Sequence, residues 1–119
     1  MTEQLAHLIV VEKQKEIVGF LSYELPNHSS EDKTAIVTCC YVSPLYFGQG
    51  AGSALIDELE TRLLSTPVMQ ISLKALDSNK QGLNFYKKCG FVRSGEEESE
   101  VIDEMTLNDV TLVKYIART

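Results

Sequence analysis

The residues Phe47-Gly48-Gln49-Gly50-Ala51-Gly52-Ser53 place three of the chain's seven glycines within five positions. They stand between an apolar run that ends at Val42-Ser43-Pro44 and a stretch with helical apolar spacing. Glycine has no Cβ to block close approach, and it accepts φ > 0. A loop of this kind can aim its own N–H groups, and those of the following helical turn, at one anion with the helix dipole behind them. A phosphate or pyrophosphate is the natural guest; a plain tight strand-to-helix turn is the alternative reading. No Lys follows Gly50 or Gly52, which excludes the triphosphatase loop Gly-Lys-Ser/Thr. Ser53 occupies the third glycine position of the dinucleotide fingerprint, and the chain opens with hairpin-like strands rather than a βαβ unit, so that reading fails too.

The other chemically capable side chains are sparse. Cys39, Cys40 and Cys89 make an odd count, and the adjacent pair would point to opposite faces of a strand, poorly placed to share a metal or a disulfide. His7 and His28 are isolated, with no Cys/His ligand spacing. The thiols read as small apolar side chains of a reduced protein, and no metal is expected. Acids outnumber bases by 17 to 11, a formal charge of −6 with a pI near 4.9, which argues against a nucleic-acid binder. Glu96, Glu97, Glu98, Glu100, Asp103 and Glu104 carry that whole excess, because without them acids and bases are equal.

Around these residues the chain divides into short elements. Length and composition, 119 residues with 44% hydrophobic and 24% charged, suit one globular domain over 1–119. Residues 5–12 and 16–25 read as strands of a hairpin about Lys13-Gln14-Lys15, followed by a loop at Pro26-Asn27-His28-Ser29-Ser30. Residues 34–42 form a nearly continuous apolar strand, as a central strand covered on both faces would. Residues 50–64 are helical, with Leu55, Ile56, Leu59 and Leu63 on one face and Glu58 placed to pair with Arg62. A strand at 68–76, a helix at 79–88 closed by Gly90, and a strand at 110–117 complete the chain. The expectation is an α+β fold, a mixed antiparallel and parallel sheet flanked by helices in the order β-β-β-α-β-α-β. One more strand at Phe91–Ser94 is left open, and the acidic stretch is expected as a solvated connection. No run approaches the ~18 apolar residues of a membrane span, and the expected localisation is cytoplasmic.

The Val42-Ser43-Pro44 strand end, Gly48-Gln49-Gly50-Ala51-Gly52 and the apolar helix after it resemble the coenzyme A loop of the GNAT superfamily of acyl-CoA-dependent N-acyltransferases. Gly50 and Gly52 match the two small positions of that loop. A second block, Asn79-Lys80-Gln81-Gly82-Leu83-Asn84-Phe85-Tyr86-Lys87-Lys88-Cys89-Gly90-Phe91, resembles the family's Asn-x-x-Ala-x-x-Leu-Tyr-x-Lys-x-Gly-Phe, with Gly82 and Phe85 replacing the alanine and leucine. The two motifs occur in the right order, each after an expected strand, and the resemblance runs from about Leu5 to Ile116.

The resemblance implies an N-acetyltransferase that moves an acetyl group from acetyl-CoA to a primary amine of a small molecule or protein by direct attack. Backbone groups of Cys40, Tyr41 and Val42 would pair with the pantetheine arm. The loop Phe47, Gly48, Gln49, Gly50, Ala51, Gly52 and Ser53 would hold the pyrophosphate, and Tyr86 would be the general acid. Asn79 would contact the coenzyme or cap the second helix. Phe47 stands where the family has Arg or Gln, so one polar contact is missing. The strand and two helices that precede the hairpin in the family are absent here. That implies an open acceptor side, a wall borrowed in a homodimer, or a non-catalytic acyl-CoA-binding module. No carboxylate lies in the third strand; Asp77, Glu24 and the acidic stretch are the candidate bases, and the stretch would favour a cationic amine.

Overall fold

The structure, a computed structural model, describes residues 7–27 and 31–116. Leu5 and Ala6 of the expected first strand, His28–Ser30 of the expected loop and Ala117 of the last strand lie outside the described residues. The elements are β1 (His7–Lys13), β2 (Glu16–Glu24), β3 (Thr34–Val42), α1 (Ala51–Leu63), β4 (Gln70–Leu76), α2 (Lys80–Lys88), β5 (Val92–Ile102) and β6 (Met105–Tyr115). They form one six-stranded sheet in the order β1-β2-β3-β4-β6-β5. β3 and β4 are parallel, and every other neighbouring pair is antiparallel.

The apolar stripe of α1 behaves as its spacing predicts. Leu55, Ile56, Leu59 and Leu63 are all buried, packed with Ile9, Leu21, Tyr23, Ala35 and Val37 of the sheet. Removing apolar surface of this size from water stabilises by roughly 1.5–3 kcal/mol per side chain. Glu58 and Arg62 pair at 3.0 Å on the exposed face, and Arg62 also donates to the Leu8 carbonyl oxygen at 3.2 Å. A shielded bridge from Lys114 to Glu60, 2.8 Å, ties β6 to α1.

Two expectations are corrected. β3 is covered on one face only: Ala35 and Val37 face the core, while Ile36 and Tyr41 are about half exposed. Cross-strand register places Leu8, Val10, Phe20, Ile36, Tyr41, Val113 and Val92 together on the opposite face. An unbroken apolar run therefore reflects one buried side and one uncovered apolar side. The acidic stretch is not a connection. Glu96, Glu97, Glu98 and Glu100 lie on β5, an edge strand exposed along its whole length and paired to β6. Asp103 and Glu104 form the two-residue turn between them, both at positive φ (48° and 67°), the twist that closes a tight hairpin. The order is therefore β-β-β-α-β-α-β-β, and the strand left open at Phe91–Ser94 runs from Val92 to Ile102.

Candidate active site at the split between β3 and β4

The parallel pair β3–β4 is short. It matches Thr34, Ala35 and Ile36 to Gln70, Ile71 and Ser72, then stops. On its other side β3 carries a bulge: Ser22 opposes Cys39, whereas Tyr23 opposes Val37, leaving Thr38 as the extra residue. A bulge bends its strand and adds twist. Beyond it β3 stays with β2 through Val42, β4 stays with β6 through Leu76, and the facing edges of β3 and β4 separate. The result is a wedge whose walls, residues 37–42 and 73–76, present unpaired backbone groups. Such groups require partners when covered.

Both helices begin at the mouth of this wedge, after the carboxyl ends of β3 and β4, where open sheets of this kind place ligands. Ser43 donates to the Val18 carbonyl at 2.8 Å, and Pro44–Tyr46 makes a single 3-10 turn. Gly48 and Gly50 have φ of 76° and 84°, with open space around each, so their role is conformational. Gly50 is the N-cap of α1, and no side chain caps that end. Ala54 is the first α1 amide to bond back, to Gly50 at 2.9 Å, which leaves the N–H groups of Ala51, Gly52 and Ser53 without partners. The Gln49 amide is engaged with the Tyr46 carbonyl at 3.3 Å, and its side chain donates to the Leu45 carbonyl at 3.4 Å. Among the described residues the amides of Gly48, Gly50, Ala51, Gly52 and Ser53 are open donors.

Gly52 has a second reason for being glycine. A Cβ there would lie 2.7 Å from the Phe85 ring, so the missing side chain lets α2 close onto the start of α1. In α2, Asn79 Oδ1 accepts from the Gly82 amide at 3.0 Å, an N-cap. A Cβ on Gly82 would meet the amide end of the Asn79 side chain, which would have to turn aside. Of the two roles open to Asn79, capping is the one its geometry displays.

Tyr86 projects from α2 into the core side of the wedge, edge-on to Phe85 and Phe91 with ring centroids at 5.2 and 5.7 Å. Burial, and the Cys40 thiol facing it from β3, push the phenol well above its ordinary range, so it stays protonated. Burial likewise raises Cys40, and Tyr86 only partly offsets it. Cys89 is raised by burial against the opposing pull of Lys114 and the Ser53 hydroxyl. Thiols held protonated are poor nucleophiles, which argues against an acyl-cysteine route. Tyr41 points the other way, its ring tilted against Phe20 at 5.8 Å on the uncovered face, and Phe47 is half exposed at the loop. Cys40, Val42 and Tyr86 share the core face, while Tyr41 contributes its backbone only.

Among the candidate bases, Asp77 follows the end of β4 at the wedge mouth, and Glu24 is exposed at the end of β2. Nothing in the local sequence points to Asn108. Its side-chain amide donates to Asp77 Oδ2 at 3.1 Å and to Glu97 Oε1 at 2.7 Å, joining β4, β6 and the acidic strand. No group of three or more His, Cys, Asp or Glu able to hold a metal occurs among the described residues. Among the described residues no helix is long and apolar enough to cross a membrane.

Comparison with known proteins finds this architecture, a sheet split between parallel strands with a helix N-terminus at its mouth, in one family. The chain belongs to the Acetyltransferase (GNAT) family, which matches residues 2–91. It is similar to the thialysine N-epsilon-acetyltransferase of Bos taurus, 31% identical over 74 residues, 62% of this chain and 44% of that protein. The Mus musculus protein of the same name matches to the same extent, so the chain spans less than half the length of these relatives. In fold it resembles the Escherichia coli ribosomal-protein-S18-alanine N-acetyltransferase, with a TM-score of 0.80 at 17% identity, covering 100% of this chain and 74% of that one. A Bacillus anthracis protein described as a streptothricin acetyltransferase, solved in complex with acetyl coenzyme A, gives 0.81 at 19% identity over 92% of this chain and 62% of that one.

Proposed function

We propose that the protein transfers an acetyl group from acetyl-CoA to a primary amine. The observation that carries this reading is the set of three unpartnered amides, Ala51 to Ser53, at the mouth of the β3–β4 split. Those amides and the α1 dipole suit the pyrophosphate. The free edges of residues 37–42 and 73–76 suit the amide-bearing pantetheine arm, which would lie between them as a strand does. A backbone N–H of β3 then polarises the thioester carbonyl. The amine attacks that carbon, the C–N bond forms and the C–S bond breaks. The surplus amine proton leaves to water or a carboxylate at the mouth, where Asp77 is placed. Tyr86 donates a hydrogen bond to the departing sulfur. Carboxylates of β5 raise the local concentration of a cationic acceptor.

The uncovered sheet face, with Leu8, Val10, Ile36 and Tyr41 exposed, supports self-association as part of this reading. One observation favours a second reading, a non-catalytic acyl-CoA-binding module: Phe47, half exposed, offers no polar group where the family has Arg or Gln. Titration calorimetry with acetyl-CoA, followed by a transfer screen over polyamines, amino acids and peptides, separates the outcomes. Heat with transfer is expected. Heat without transfer supports the binding module, and no heat at millimolar acetyl-CoA removes both readings.

A further inference from the structure

A cavity of about 460 Å³ lies on the flank of α2 away from the glycine loop. Lys80, Leu83, Asn84 and Lys87 line it from α2, spaced i, i+3, i+4 and i+7, which is one face of a helix. Phe91, Val92, Arg93 and Leu112 supply the rest. Phe85 and Cys89, which meet Gly52 and Ser53 of α1, lie on the other flank, so roughly 10 Å of helix separates the cavity from the coenzyme loop.

The cavity is a half-open cleft with an apolar floor and a basic rim. Phe91 and Leu112 are buried and make an apolar floor. Lys80, Lys87 and Arg93 stand at the rim, and among the described residues none of the three enters an ion pair. Arg62, Lys74 and Lys114, by contrast, each have a carboxylate partner. Three cations without a carboxylate partner line one cavity in a chain of formal charge −6. A break in strand register aims the third. β5 and β6 lose their pairing between Arg93 and Glu97, Gly95 sits at φ 99°, and Arg93 opposes Leu112 on the helix side of the sheet. The run of acids begins within that irregularity, at Glu96.

We propose that this cavity binds a small amphipathic anion. A phosphate or carboxylate head is held by Arg93, Lys87 and Lys80, and an aryl or short hydrocarbon body rests on Leu83, Phe91 and Leu112. The volume falls within the range of small-molecule sites, and the fork of an arginine with flanking lysines suits a compact anion. The site is separate from the acetyl-CoA reading and stands without it.

Phenyl phosphate is the probe, with benzyl alcohol and benzylamine as its neutral and cationic counterparts, followed by amide and methyl NMR shifts of the intact chain. Saturable shifts at Lys87, Arg93, Leu83 and Leu112 are expected with phenyl phosphate and not with the counterparts. Lys87→Glu with Arg93→Glu should weaken the probe by about tenfold or more. The unliganded melting temperature and the response to acetyl-CoA should stay in place. Equal response to benzyl alcohol, shifts centred on Ala51 to Ser53, or displacement of the probe by acetyl-CoA would each overturn the proposal. Because the readout is binding at α2 and β5, loss of acetyl-CoA activity leaves the test intact.

Discussion

Tyr86 acts, in the proposed reaction, as a neutral phenol. Burial first, and the facing Cys40 thiol second, raise it well above the ordinary value of 10.0. A free thiol titrates near 8.5, so complete transfer of the Tyr86 proton to a thiolate runs uphill, and a hydrogen bond to sulfur is the stabilising interaction. Tyr86→Phe is expected to lower kcat about a hundredfold, the usual effect of losing one aimed donor, with the KM for acetyl-CoA little changed. The sign for pH follows from the raised phenol. The donor form persists below its shifted value, so the rate should show no alkaline limb from Tyr86 below pH 10.0. Steady-state kinetics on both proteins across pH checks this, and unchanged turnover in the variant would remove Tyr86 from the role. At this scale the sequence was informative where a residue's neighbours are close in the chain. Asn79 as a cap needs only Gly82, three residues on. Asn108 bridges to Asp77 across 31 residues, and nothing in either local sequence announces it.

The elements were legible where one face is buried, as the four-residue stripe of α1 shows. They were misread where burial gave no pattern. β5 carries consecutive glutamates, which have little intrinsic liking for strands. Its extended form comes from the β6 ladder, from Lys74 to Glu98 at 2.9 Å and from the Asn108 bridge. Those charges and the bulge at Gly95 also blunt an edge that could pair with another chain. β3 misled in the opposite way, since apolar side chains on its uncovered face mimic a strand buried on both sides. Between α1 and α2 the contact of Gly52 with Phe85 governs how closely the two helix starts approach. Gly52→Ala is expected to lower thermal stability by about 1–3 kcal/mol, the cost of overpacking a tight contact. Trimming the ring with Phe85→Leu in the same chain should recover most of the loss. Thermal melts of the single and double variants decide it; no recovery would mean that the glycine serves something other than the ring.

For the molecule as a whole, charge is laid out along one arm. The β5–β6 hairpin holds seven acids against two bases, a net of −5 out of the chain's −6, while the rest of the chain is nearly balanced. An arm of net negative charge attracts cationic ligands over about a Debye length, near 10 Å at moderate salt. Converting Glu96, Glu98, Glu100, Asp103 and Glu104 to their amides, with Glu97 kept for its bond to Asn108, is expected to raise the KM of a cationic acceptor several-fold. Added salt should erase the difference between the two proteins. An unchanged KM at low ionic strength would reduce the arm to a solubilising surface.

The three-rung ladder between β3 and β4 divides the sheet into two halves that are each knit by longer antiparallel pairings. Apart from those rungs and the bonds from Met69 and Gln70 to the Lys33 carbonyl, no backbone hydrogen bond between strands crosses the midline among the described residues. Mechanically this is a hinge line placed at the closed end of a wedge. A small rotation about it widens or narrows the mouth while leaving both sets of antiparallel ladders whole. Thr34–Ile36 and Gln70–Ser72 therefore form the fulcrum of the sheet, and the width of the slot is set by a segment that lies outside the slot itself.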